Sequence, residues 1–110
     1  MSETDLERIV AQAREMQSRL AELQRDLAGR HVEGSAGGGM VTAVATGELR
    51  ILEVRIEPSL LAGGDRQMIQ DLTAAAVNAA LANAQKMIQE ELQQASGGLS
   101  VSLPFGSGGG

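Results

Sequence analysis

The residues of this chain best suited to binding a ligand are arginines near its N-terminus. A guanidinium group donates two parallel hydrogen bonds, a geometry that matches the oxygens of a phosphate. The same arginines alternate with acidic residues, so the pattern also fits a solvated helix face that carries weak ion pairs. Both interpretations stay open from the residues alone. The arginines of this segment are Arg8, Arg14, Arg19, Arg25 and Arg30.

Other residue types that could support catalysis or metal binding lack partners in the sequence. The glycine run 37–39 is not followed by Lys-Ser/Thr and leads into a predicted strand, so a flexible loop is favoured over a phosphate-binding loop. His31 is the single histidine, and the chain has no cysteine. No motif joins His31 to a metal-ligand set or to a nucleophile. We therefore expect no metal, no cofactor and no enzymatic activity.

Composition predicts one small domain followed by a tail. The segment from residue 97 reads GGLSVSLPFGSGGG, and its Phe105 is the single aromatic residue of the chain. We predict a domain over residues 1–96 and a flexible Gly/Ser-rich tail over residues 97–110. A domain of this size with long amphipathic helices and no large core side chains is typical of an obligate oligomer.

Charge and hydropathy restrict the possible partners and location. The formal net charge of −5 disfavours nucleic acid, although a local positive surface is compatible with it. No apolar run approaches the roughly 20 residues that a membrane-spanning helix needs. The N-terminal residues MSETDLER do not resemble a secretory signal. A reducing, cytoplasmic setting is expected, with no membrane partner.

The first helix is predicted from a heptad pattern between residues 6 and 27. Its apolar positions alternate in steps of three and four, the a/d spacing that packs against another helix. Ser2, Thr4 or Asp5 could cap the helix, and Gly29 is a plausible end. Glu15 precedes Arg19, and Asp26 precedes Arg30, at the spacing of ion pairs along a helix. The predicted dimer or core seam consists of Leu6, Ile9, Ala13, Met16, Leu20, Leu23 and Leu27.

Three strands and a second long helix are predicted after the first helix. A short strand begins near Val32, and segments 40–46 and 49–57 alternate in the manner of strands, with a tight turn at Gly47 and Glu48. Leu52, Val54 and Ile56 would share one face of the last strand. Residues 59–64 form a connector, and Asp65 caps a helix from about residue 66 to residue 95. The predicted class is α+β, with the order α-β-β-β-α and a three-stranded antiparallel sheet covered on one side.

The order and wording of these segments resemble the YbaB/EbfC family of bacterial nucleoid-associated proteins. The resemblance covers about residues 9–92. It rests on V-x-G-x-x-G-G-G-x-V-T, then V-x-I-x-P-S-L-L, then D-L-x-x-A-A-V-N-x-A at matching spacings. The first helix, AQAREMQSRLAELQRDL, and the second, which continues to KMIQEEL, complete the likeness.

The resemblance implies a homodimer with projecting helices that binds duplex DNA with little sequence preference in the nucleoid. Family members that bind DNA often carry several lysines on the helices, whereas Lys86 is the single lysine here. The alternative is a protein-interaction module of the same fold, acting in DNA repair or replication without touching DNA; the acidic net charge favours it. The predicted DNA contacts are Arg8, Arg14, Arg19, Arg25 and Lys86.

Overall fold

The first helix, α1 (Glu3–Ala28), begins at a capping box. The structure, a computed structural model, describes residues 2–96, so the predicted tail lies outside the described residues. The Ser2 hydroxyl accepts a hydrogen bond from the Asp5 amide at 3.3 Å, and the Asp5 carboxylate accepts one from the Ser2 amide at 3.3 Å. These bonds satisfy amides that a helix start leaves without a partner. The helix ends at Gly29, as predicted.

Three antiparallel strands follow, in the spatial order β1 (His31–Ala36), β2 (Val41–Thr46) and β3 (Ile51–Ile56). The glycine run between β1 and β2 has positive φ at all three residues, as its glycines allow. The tight turn predicted at Gly47 and Glu48 is wrong, because the connection between β2 and β3 spans residues 47–50. Its Gly47 amide donates to the Leu27 carbonyl at 3.0 Å, so the connection is tied to the end of α1.

A register shift divides β3. Val44 pairs with Glu53, but Ala45 pairs with Ile51, which leaves Leu52 as an extra residue opposite β2. Such a bulge changes the alternation of the strand on its two sides. The prediction that Ile51 lies opposite Val54 and Ile56 is therefore wrong, since Ile51 joins the hydrophobic core beside Ile56.

The long C-terminal helix, α3 (Arg66–Ser96), covers one face of the sheet and forms the core with it. The contact is close because small side chains meet there. A Cβ atom on Gly34 of β1 would lie 2.1 Å from the Ala80 amide nitrogen, so only glycine permits this approach. The predicted one-sided sheet is confirmed. The fully buried residues of this contact are Val41, Ala43, Ala45, Ala76, Ala80 and Ala84.

The connector predicted between β3 and the last helix contains a further short helix, α2 (Pro58–Gly63). Pro58 fits its first turn, where a proline leaves no hydrogen bond unmade, and Gly64 ends it with φ of 69°. Leu60 is buried in the core, which gives this turn a packing role. The predicted cap at Asp65 is confirmed, because its carboxylate accepts from the Met68 amide at 3.0 Å.

Helix α1 extends away from the sheet and gives the molecule its long dimension of 73 Å. Across this helix, all of which is described, Leu27 is the one buried residue. The Arg30 guanidinium, just beyond its end, donates to the Glu91 carboxylate of α3. The predicted Asp26–Arg30 pair is replaced by this contact, whereas the predicted Glu15–Arg19 pair is present at 2.6 Å.

Candidate nucleic-acid interface

The four predicted arginines of α1 lie in two rows along the helix. Arg14 and Arg25 are eleven residues apart, which is three turns, so both project from the same side about 16 Å apart along the axis. Arg8 and Arg19 have the same spacing and form a second row about 120° around the helix. All four side chains are exposed. The helix therefore presents its guanidinium groups to solvent on the sides away from the apolar seam.

The arginines differ in their ion pairing. Arg19 donates to Glu15 at 2.6 Å, and both side chains are more than 60% exposed. Among residues 2–96, Arg8, Arg14 and Arg25 have no acidic partner within ion-pair distance. These three can take up a phosphate without first breaking a pair. The exposed Arg19–Glu15 pair is a weak competitor, because such pairs contribute at most about 1 kcal/mol.

The predicted contact at Lys86 belongs to a different element. Lys86 is exposed on α3, five residues before the Glu91 that binds Arg30 at the end of α1. It lies about 7.5 Å along the helix axis from Glu91. The structure thus places Lys86 toward the base of α1 rather than along its length, so Lys86 and Arg8 lie far apart.

Arg50 is a cationic residue that the sequence did not single out. Its carbonyl accepts from the Thr46 amide at 2.9 Å, while the next amide, of Gly47, donates to Leu27 at the end of α1. This arrangement brings the exposed Arg50 beside the base of α1, near Arg25 and Arg30 in the fold. The sequence gives no signal for it, because the contact joins residues about twenty positions apart through backbone groups.

The predicted seam of α1 is largely uncovered within one chain. Leu27 is buried and Leu23 is half-buried, whereas the seam residues nearer the N-terminus are exposed. Their exposed fractions lie close to one half, from 46% at Met16 to 54% at Leu6. A continuous apolar stripe of this kind usually marks an interface. Its dimer role stays a prediction.

The second face of the sheet carries an arginine that is already engaged. Arg55 on β3 donates to Glu53 at 2.8 Å and to Glu33 of β1 at 3.1 Å. The hydrogen bonds to Glu53 and then to Glu33 raise the pKa of Arg55 above its ordinary value. Two carboxylates beside one guanidinium leave this face unsuited to phosphate.

The remaining candidate sites do not form constellations. His31 is exposed on β1 next to Thr46. Within residues 2–96, no three histidine or acidic side chains lie close enough to hold a metal ion. None of the described helices is both long and apolar enough to cross a membrane.

The structure defines a small α+β domain whose exposed arginine-bearing helix projects from a sheet covered on one side. A sequence model described as the YbaB/EbfC DNA-binding family matches residues 1–99. The chain belongs to the YbaB/EbfC family, as its motifs predicted. This is a family of nucleoid-associated DNA-binding proteins and not of enzymes.

Individual relatives agree with this assignment. A nucleoid-associated protein of Acetivibrio thermocellus is 43% identical over 95 residues, which are 86% of this chain and 84% of the relative. One of Desulfotalea psychrophila is 38% identical over 97 residues, 88% and 92% of the two chains. The crystal structure of an uncharacterized protein from Helicobacter pylori, 20% identical, matches with a TM-score of 0.58 over 71% of this chain and 90% of that one. That likeness confirms the fold.

Proposed function

We propose that this protein binds duplex DNA in the bacterial nucleoid, in the cytoplasm, as a homodimer with low sequence specificity. The observation that carries the proposal is the set of exposed arginines without acidic partners on a projecting helix, Arg8, Arg14 and Arg25. Membership of a DNA-binding family supports the same ligand. Arg19, Arg50 and Lys86 would add contacts on or near this helix.

Low specificity follows from the chemistry of these contacts. Guanidinium groups that bind phosphate oxygens position a protein on the duplex but do not distinguish its bases. Residues 2–96 contain no aromatic side chain that could stack on a base. The interface we propose therefore depends on the charge of the backbone of DNA and not on its sequence.

A homodimer is supported by the apolar surface that one chain leaves exposed. Leu6, Ile9, Met16 and Leu20 form part of one stripe on α1, and each is about half exposed. A second copy provides the nearest source of a complementary surface. Two copies would also present two arginine-bearing helices to one duplex, which raises avidity without new contacts.

The salt dependence of binding tests the proposal. Fluorescence anisotropy with a labelled duplex of about 20 base pairs would be measured at 50 and 200 mM salt. If the dimer neutralises about four phosphates, the association constant should fall roughly a hundred-fold between these conditions. A duplex of unrelated sequence should bind within a few-fold. Failure to bind at 50 mM salt would refute the DNA proposal.

Matched charge reversals locate the interface. The variant R14E/R25E should weaken binding of all duplexes alike, by at least tenfold at 50 mM salt, and reduce the salt slope by about two. The control R50E/R66E makes the same change in net charge but retains the α1 arginines. Arg66 begins α3, about 37 Å along that helix from Glu91. Equal losses in the two variants would show that net charge, not the α1 surface, governs binding.

The exposed seam and the acidic net charge favour one second candidate, a module that docks on another protein in DNA repair or replication. A tagged chain would be used to capture partners from a nuclease-treated lysate. A single stoichiometric partner, lost in the variant I9E/L20E, would support this role. It would replace the first proposal if the purified chain also bound no duplex at 50 mM salt.

A further inference from the structure

The two edges of the sheet differ in how their backbone groups are satisfied. At the β1 edge, the Asn83 side-chain amide of α3 donates to the Glu33 carbonyl at 2.8 Å. At the outer edge of β3, no residue within 2–96 makes a hydrogen bond to the backbone. Leu52 and Val54 are also 55% and 38% exposed there. An open edge of this kind is a template for pairing with another strand.

We propose that β3 pairs antiparallel with β3 of a second copy of this chain, which forms one six-stranded sheet. The inference rests on the homodimer of the proposed function and names its interface. It differs from a dimer held by the α1 seam, because the contact is made by strand edges. Both the hydrogen-bonding groups and the charges of β3 select this partner and its register.

The hydrogen-bond pattern shows which groups of β3 are free. In an antiparallel pair, successive residues turn their amide and carbonyl groups alternately toward and away from the neighbouring strand. The Glu57 amide donates to the Met40 carbonyl of the preceding loop at 2.8 Å, and this pair continues the register of β2 and β3. Glu53 and Arg55 therefore point their backbone groups toward β2. Val54 and Ile56 point theirs outward, to the open edge.

Outward groups restrict how two copies of β3 can pair. Hydrogen-bonded partners must both be outward residues, so the register can slip only in steps of two. Centred on Val54, the pairing sets Val54 opposite its own copy and Glu53 opposite Arg55, twice by symmetry. One allowed step in one direction sets Glu53 opposite Glu53. One step in the other sets Arg55 opposite Arg55.

Charge therefore favours the register centred on Val54, because opposite charges across neighbouring strands attract and like charges repel. The side chains of Glu53 and Arg55 are 51% and 54% exposed, so they can share partners between copies. Val54 lies opposite Ala43, on the face that α3 covers. The two-fold axis of this pairing is perpendicular to the sheet, so both α3 helices lie on that same face.

Two single charge reversals test the register. E53R places arginine opposite Arg55 in the paired copy, and R55E places glutamate opposite Glu53. Each variant alone should dimerise at least about tenfold more weakly than the wild type. An equimolar mixture should restore the dimer, because both cross-strand pairs are then opposite in charge. Sedimentation velocity measures the association, native mass spectrometry identifies the mixed dimer, and circular dichroism of each variant reports whether it has folded.

The outcomes separate this inference from the proposed function. A wild-type chain that sediments as an 11.4 kDa monomer at all concentrations overturns both the interface and the homodimer. A wild-type dimer that neither reversal weakens, or a mixture that does not recover, overturns the β3 interface and leaves the homodimer to the α1 seam. Recovery confined to the mixture supports the pairing. DNA binding is measured separately by the salt titration, so its result does not decide this one.

Discussion

The closest packing in the molecule makes a sharp prediction about Gly34. This residue is buried on β1 beneath α3, and its conformation is not one that excludes other residues. A Cβ atom there would meet three main-chain atoms of α3, at 2.1 Å from the Ala80 nitrogen, 2.5 Å from the Ala79 carbonyl carbon and 2.7 Å from the Ala80 Cα. The substitution Gly34→Ala must therefore move the helix away from the sheet.

The expected cost follows from the atoms that clash. Inserting a methyl group into a packed core usually costs about 1–3 kcal/mol. We place this variant at about 3 kcal/mol, because main-chain atoms cannot rotate away. Alanine returns up to about 1 kcal/mol, since glycine is the less favourable residue in a strand. A net loss of about 2–3 kcal/mol is a large fraction of the roughly 5–15 kcal/mol that stabilises a typical domain.

Urea denaturation followed by circular dichroism at fixed protein concentration measures this loss. With a slope near 1.5 kcal/mol per molar urea, the midpoint should fall by about 1.5–2 M. Gly63→Ala is the control, because nothing lies within 4 Å of its Cβ position. The double variant G34A/A80G should be no more stable than G34A, since the atoms in the way belong to the main chain. A change below about 0.5 kcal/mol in G34A, or a rescue by A80G, would refute the reasoning.

Two further substitutions examine α1. Ser2→Ala removes both side-chain bonds of the capping box and should cost the helix about 1 kcal/mol, seen as faster amide exchange in its first turn with little change in the urea midpoint. Leu27→Ala should destabilise the domain by about 2–4 kcal/mol, because Leu27 is 6% exposed at the joint between α1 and the sheet. Leu20→Ala is its control, being 49% exposed; an equal loss in both variants at a concentration where the chain is monomeric would contradict the observed packing.

The sequence predicts the parts of this fold that depend on local chemistry. The capping residues at Ser2 and Asp65, the end of α1 at Gly29 and the positive φ of the glycine run all follow from residue types at known positions. The order α-β-β-β-α follows from hydropathy periods and turn residues. Family membership follows from motifs at fixed spacings, and the family match confirms it.

Features that depend on distant contacts were not predictable in this way. The bulge at Leu52 arises from how β3 fits β2, and alternation within β3 alone indicated a different face. Arg30 lies four residues after Asp26, yet it binds Glu91 of α3, because the fold brings that carboxylate to the end of α1. Arg50 reaches the base of α1 through backbone bonds of Gly47 that no side-chain pattern encodes. The α1 arginines and seam residues remain predicted roles.

The acidic net charge and a DNA ligand are compatible because the charges are distributed unevenly. Arg55, Glu33 and Glu53 neutralise one another on the open face of the sheet, and Arg30 engages Glu91. A phosphate is affected mainly by charges within about 10 Å at 0.1 M salt, the screening length of the solution. Three unpaired arginines on an exposed helix can therefore attract a duplex although the whole chain has a net charge of −5. Repulsion from the remaining acidic residues should keep the affinity low, so two copies of α1 joined through a dimer would contribute more to binding than either alone.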